Sequence, residues 1–168
     1  MNKKQILPGS ESAGTFPQSQ PKPTHRILVA DDDGDVRLLN ADVLLFSGYA
    51  VDVAEDGAIA WDALQINNYH LLVTDNNMPK VSGVELIKKL HGARMALPVI
   101  MATGTLPTWE FALHPWLRPA ATLLKPFTGD ELLATVRNVL RAPGSPPREQ
   151  IARSPDLQSQ PPTAGLRL

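Results

Sequence analysis

Between residues 25 and 141 the chain alternates short apolar runs with amphipathic stripes, five times over. That alternation leaves few folds open. Ile27-Leu28-Val29-Ala30 is too short for a helix and is bounded by acids, so it reads as a buried strand. Val36, Leu39, Val43 and Phe46 recur at three- and four-residue spacing, which predicts an amphipathic helix stopped by Gly48. A second strand is expected over Ala50–Ala54, followed by a helix that starts after Asp56-Gly57 and carries Ala60, Ala63 and Leu64. Leu71–Thr74 is the third strand, and Val84, Ile87 and Leu90 mark a helix from about Gly83. Pro98–Ala102 and Ala121–Leu124 complete the strands. The last helix bears Leu132, Val136, Val139 and Leu140 on one side, with Thr128 as its N-cap. Prolines 107, 115 and 119 leave room for about two helical turns between them, so a fourth helix there is short or distorted. Trp109 and Trp116 in that segment read as core or loop packing rather than a partner surface. Continuous apolar strands between amphipathic helices imply an α/β fold, a parallel sheet covered on both faces.

Proline also marks the edges. Residues 1–24 and 142–168 mix proline with Ser, Gln, Gly and Arg and hold no apolar residues at a helix or strand period. They are expected to be disordered tails around one domain at 25–141. No internal repeat is visible. The 16 basic and 17 acidic residues give a net charge of −1, so no global field draws the chain to nucleic acid or anionic lipid. No cysteine is present, which excludes disulfides, thiolate chemistry and Cys-based zinc sites. No apolar run approaches the ~20 residues that span a bilayer, and the start lacks the apolar stretch of a signal peptide. A soluble, cytoplasmic protein is expected.

In a parallel sheet of this kind, function collects beyond the carboxyl ends of the strands. The residues there are Asp31-Asp32-Asp33, Asp75, Thr103-Gly104 and Lys125-Pro126. Two carboxylates about 5 Å apart repel by roughly 3 kcal/mol at an effective dielectric near 20. Clustering three therefore calls for a cation. Oxygen ligands without Cys or His nearby favour a hard ion such as Mg²⁺. Lys125 supplies a further positive charge and Thr103 a hydroxyl donor. Asp33 and Asp35 read more simply as N-cap or turn formers.

Four segments carry a resemblance: Ile27–Asp33, Leu72–Pro79 followed by Gly83, Val99–Gly104, and Leu124–Phe127. Together they resemble the receiver domain of two-component response regulators over roughly residues 25–141. The resemblance implies a flavodoxin-like, doubly wound five-stranded sheet in the order 2-1-3-4-5. It implies that Asp75 is a nucleophile that takes a phosphoryl group from a phosphohistidine on a sensor histidine kinase or histidine phosphotransfer protein. Mg²⁺ would be held by Asp32 and Asp75, by Asp31 through water, and by the backbone carbonyl of Asn77. Lys125 and Thr103 would bind phosphoryl oxygens, Gly104 would leave them space, and the Lys125-Pro126 bond would be cis. Family members often carry a switching aromatic three positions before the lysine; here that position is Thr122. No DNA-binding or catalytic segment is legible after the domain, so a stand-alone receiver is expected. It would be no enzyme beyond slow self-dephosphorylation, and would act through a downstream protein.

Two rivals share some of these features. A haloacid-dehalogenase-type phosphatase would use Mg²⁺ with Asp31 and Asp33 as its paired acids, but leaves Asp75-Asn76-Asn77-Met78-Pro79 without a role. A phosphorylation-independent binding module would keep the fold and dispense with the chemistry.

Overall fold

The computed structural model describes residues 25–142. The assignments of 1–24 and 142–168 as tails lie, Ala142 apart, outside the described residues. Five strands, β1 (Arg26–Ala30), β2 (Ala50–Ala54), β3 (Leu71–Thr74), β4 (Val99–Thr103) and β5 (Ala121–Leu124), alternate with five helices. The helices are α1 (Gly34–Phe46), α2 (Gly57–Ile66), α3 (Gly83–Gly92), α4 (Thr108–Leu113) and α5 (Gly129–Arg141), with a 3-10 turn at Pro115–Leu117 after α4. All pairings are parallel and the strand order is β2-β1-β3-β4-β5. The expected flavodoxin-like architecture is therefore the observed one.

The sheet divides the core by the two-residue period of its strands. Ile27, Val29, Leu71, Val73, Ile100 and Ala102 point to the side of α1 and α5, where they meet Leu44, Leu132 and Val136. Leu28, Ala30, Leu72 and Met101 point to the other side, against Ala60, Leu64, Leu86 and Leu90. Burial on both faces explains why β1, β3 and β4 read as unbroken apolar runs. At the edges the rule relaxes, and β5 leaves Thr122 and Leu124 exposed.

Helix ends follow local chemistry. Asp33 caps α1, accepting from the backbone N–H groups of Asp35 and Val36. Ser82 with Glu85, and Thr128 with Glu131, form reciprocal capping boxes at α3 and α5. The α4 region is short, as its prolines dictate, and its capping position is Pro107, which has no side-chain acceptor to offer.

Four expectations need correction. Strand β4 runs one residue later than its apolar run, so Thr103 ends the strand instead of following it. Asp35 is not a cap; it lies in the first turn of α1, exposed. The inward face of α1 is Asn40, Ala41 and Leu44, while Leu39 and Phe46 are 65% and 92% exposed. Leucine is so frequent along this helix that more than one apolar stripe can be drawn; of the expected stripe Val43 packs against the core, while Leu39 and Phe46 do not. Finally, Trp109 is 71% and Trp116 48% exposed, so neither is a core residue.

Candidate functional site

Strand order decides which residues meet. β1 and β3 are neighbours, and Ala30 pairs with Thr74, so the residues that follow them, Asp31 and Asp75, lie side by side. Their backbones are fixed as well: Asp31 N–H donates to Ala54 O and Asp75 N–H to Ala30 O. Carboxylate oxygens of Asp31, Asp32 and Asp75 all fall within 4.8 Å of one another. Asp31 and Asp75 are buried, whereas Asp32 is exposed.

Lys125 comes in from β5. Its ammonium lies 2.7 Å from Asp31 Oδ2 and 3.2 Å from Asp75 Oδ2. The Lys125-Pro126 bond is cis, as the resemblance implied. Thr103 is fully buried at the end of β4. Its hydroxyl engages its own loop, donating to Thr105 O (3.3 Å) and accepting from Thr105 N–H (3.4 Å), and makes no hydrogen bond to the carboxylates. Asn77 is exposed two residues beyond Asp75, with its side-chain oxygen accepting from Asn76 Nδ2.

Several supports were not legible beforehand. Arg37, one turn into α1, donates from Nη1 to the backbone carbonyl of Asp31 at 2.6 Å. Asn76 donates its N–H to Asp75 Oδ1, while its own Oδ1 accepts from Val84 N–H at the start of α3. An arginine on a helix reads as solvent-facing, and no pattern signals that it will turn back to a strand end. Asn76 lies within Leu72–Pro79, but it stands seven residues before α3 begins, and its bond to Val84 N–H leaves no signal in the spacing.

Electrostatically the cluster is short of positive charge: one ammonium faces three carboxylates. Burial pushes the Asp31 carboxyl above its usual range, opposed by the Lys125 hydrogen bond and reinforced by the charge of Asp75. Burial alone would pull the Lys125 ammonium down, but Asp31 and Asp75 outweigh it and hold it above the usual lysine range. The donor set consists of oxygens only, and a small divalent cation fits it in charge and in chemistry. The phosphatase rival fares poorly here, because Asp33 is committed to the cap of α1.

A parallel sheet of order 2-1-3-4-5 with acids at the ends of β1 and β3 and a lysine after β5 defines a receiver-type signalling domain. The family model described as "Response regulator receiver domain" matches residues 27–137, and the chain belongs to that family. Among curated proteins, the response regulator MprA of Mycobacterium tuberculosis is 37% identical over 116 residues, covering 69% of this chain and 50% of its own length. The MprA of Mycobacterium avium is 36% identical over the same length. The chain thus spans about half the length of the curated relatives it matches. Among solved structures, chemotaxis response regulator CheY4 of Vibrio cholerae aligns with a TM-score of 0.63 at 26% identity, covering 68% of this chain and 98% of that one. Response regulator TrrA of Thermotoga maritima, in complex with Mg²⁺-BeF, aligns at 0.61 and 30% identity, with coverage of 68% and 98%.

Proposed function

We propose that the chain is a phosphoacceptor that receives a phosphoryl group on Asp75 and signals through protein contacts. The observation that carries this reading is the meeting of Lys125 with Asp31 and Asp75, beside Asp32, at the carboxyl edge of the sheet. Mg²⁺ would be held by Asp31, Asp32, Asp75 and the backbone carbonyl of Asn77. When bound it offsets the negative charge of the carboxylates and of the incoming phosphoryl oxygens.

The protein's own groups do the rest. An oxygen of the Asp75 carboxylate attacks phosphorus; the new O–P bond forms as the P–N bond to the donor histidine breaks, and the bonding pair returns to the imidazole nitrogen. Asn76 N–H, on Asp75 Oδ1, fixes the orientation of that carboxylate. Lys125 exchanges a carboxylate partner for a phosphoryl oxygen. Thr103 leaves Thr105 to donate its hydroxyl to another. The donor is a sensor histidine kinase or a histidine phosphotransfer protein, and the output is contact with a downstream protein.

Incubation with Mg²⁺ and labelled acetyl phosphate, or with a phosphorylated histidine kinase, tests this. The protein should carry an acid-stable, alkali-labile label that Asp75→Asn abolishes. Label that survives the substitution overturns the site, and no labelling at all points to a phosphorylation-independent binding module.

A further inference from the structure

Asp56 is a buried carboxylate with no part in the chemistry above. Its side chain is only 4% exposed, yet it sits at the start of α2, on the far side of the loop that follows Asp75. It accepts from Ile59 N–H at 2.8 Å as the α2 N-cap, and from Lys80 Nζ at 2.5 Å. Capping alone needs one acceptor and no charge. The second bond reaches into the β3–α3 loop.

That loop is held at two places. Its neck is closed by Gly83, whose N–H donates to Asn76 O (3.1 Å) and whose Cα lies so near Asp75 that a Cβ would stand 2.4 Å from the Asp75 carbonyl oxygen. Its far end is closed against α2: a Cβ on Gly57 would stand 1.8 Å from the Val81 carbonyl oxygen. Between them Lys80 adopts a left-handed conformation (φ 65°), one of two non-glycine residues that do so among the described residues. A lysine gains nothing intrinsically from that region, where glycine or asparagine is at home. The compensation in view is the ion pair with Asp56.

We propose that Asp56 and Lys80 are positioning residues for the metal and phosphoacceptor site. Their ion pair pins the far end of the loop, and so fixes where Asn77 and its backbone carbonyl stand relative to Asp75. This rests on the phosphoacceptor reading above. Asp56 keeps its cap if the charge alone is removed, because asparagine caps as well as aspartate. Lys80 is 62% exposed along its side chain, so losing its ammonium opens no cavity.

Isothermal titration of the whole chain with MgCl₂ is the test, using wild type, Asp56→Asn, Lys80→Met, the double variant, Lys80→Arg and Asp32→Asn. Each single charge-removing variant should weaken Mg²⁺ binding by about three- to tenfold, below the roughly 10- to 100-fold of a partner bonded directly to a ligand. The double variant should be no weaker than the worse single one, and Lys80→Arg should bind like wild type. A merely structural pair would lower the thermal midpoint in metal-free buffer and leave Mg²⁺ affinity unmoved. That result, with Asp32→Asn losing Mg²⁺ binding, overturns the positioning role and spares the phosphoacceptor reading. A wild-type protein that takes up no Mg²⁺ overturns both.

Discussion

The ammonium of Lys125, just after edge strand β5, lies 2.7 Å from the carboxylate of Asp31, just after β1, across a span of ninety-four residues. The Asp31 side chain is 3% exposed and that of Lys125 22%. This contact and the one to Asp75 are the only ion pairs that Asp31 and Asp75 make among the described residues, each acid also accepting one backbone N–H. Lys125→Met should therefore lower stability in metal-free buffer by about 1–3 kcal/mol, the cost of stranding a buried acceptor. Mg²⁺ should then recover more stability in the variant than in wild type, since it supplies the missing charge. Denaturant melts of both proteins with and without MgCl₂ check this; an equal Mg²⁺ increment in the two would contradict it.

Asp32 separates metal binding from folding. It is exposed, caps nothing and stands within 4.8 Å of two like charges, so Asp32→Asn should leave metal-free stability no lower than wild type and raise it where the repulsion is relieved. The wild-type protein should gain about 2.7 kcal/mol when Mg²⁺ is present at a hundred times its dissociation constant. In Asp32→Asn that gain should largely vanish. Thermal melts across a Mg²⁺ series measure both quantities on the same samples.

The strand ends were legible because the physics that writes them is local. Apolar runs such as Leu71–Val73 mark the buried strand, and Asp75, the first residue past the strand's end at Thr74, is on the functional edge whatever the exact register. Helix caps at Thr128 and Asp33 were legible for the same reason. The face of α1 was not, because Leu38, Leu39, Leu44 and Leu45 offer competing stripes that only packing against the sheet and α5 resolves. Contacts that close through space, Arg37 to the Asp31 carbonyl or Lys80 to Asp56, leave no trace in spacing. Thr122 was legible as a departure from the family, and its exposure on β5 shows that no buried slot is filled there.

Away from the site, Tyr69 gives the protein an alkaline limit. Its hydroxyl donates to Asp52 Oδ2 at 2.6 Å, and Asp52 is also paired with Arg26. Burial, with the Asp52 hydrogen bond and charge, pushes the phenol up to about 12 from an ordinary value of 10.0, against the opposing charge of Arg26. A raised value means the folded state holds the proton more tightly than the unfolded chain. The stabilisation is thus complete below pH 10.0 and is lost as pH rises towards about 12. Absorbance titration near 295 nm should resolve a late phenol that Tyr69→Phe removes, and the variant's stability should fall less steeply over that window.

Thr103 offers the sharpest test of how a phosphoryl group would become a signal. With Thr122 exposed and not aromatic, rotation of a ring at that position is not an available route. What the resting protein does offer is a buried hydroxyl held by two long bonds to Thr105, the second residue of the β4–α4 connection. Such bonds are weak, so exchanging them for a charged phosphoryl oxygen is favourable, and the exchange releases Thr105 from the strand end. Thr103→Val should cost about 1 kcal/mol of stability or less, because the partners lost are poorly placed. It should still accept label on Asp75, since the nucleophile and Lys125 remain. Amide resonances of Thr105 through Leu113 should shift on treatment with beryllofluoride and Mg²⁺ in the wild type, stay near their resting positions in Thr103→Val, and shift again in Thr103→Ser. Equal shifts in wild type and Thr103→Val would place the switch elsewhere than this hydroxyl.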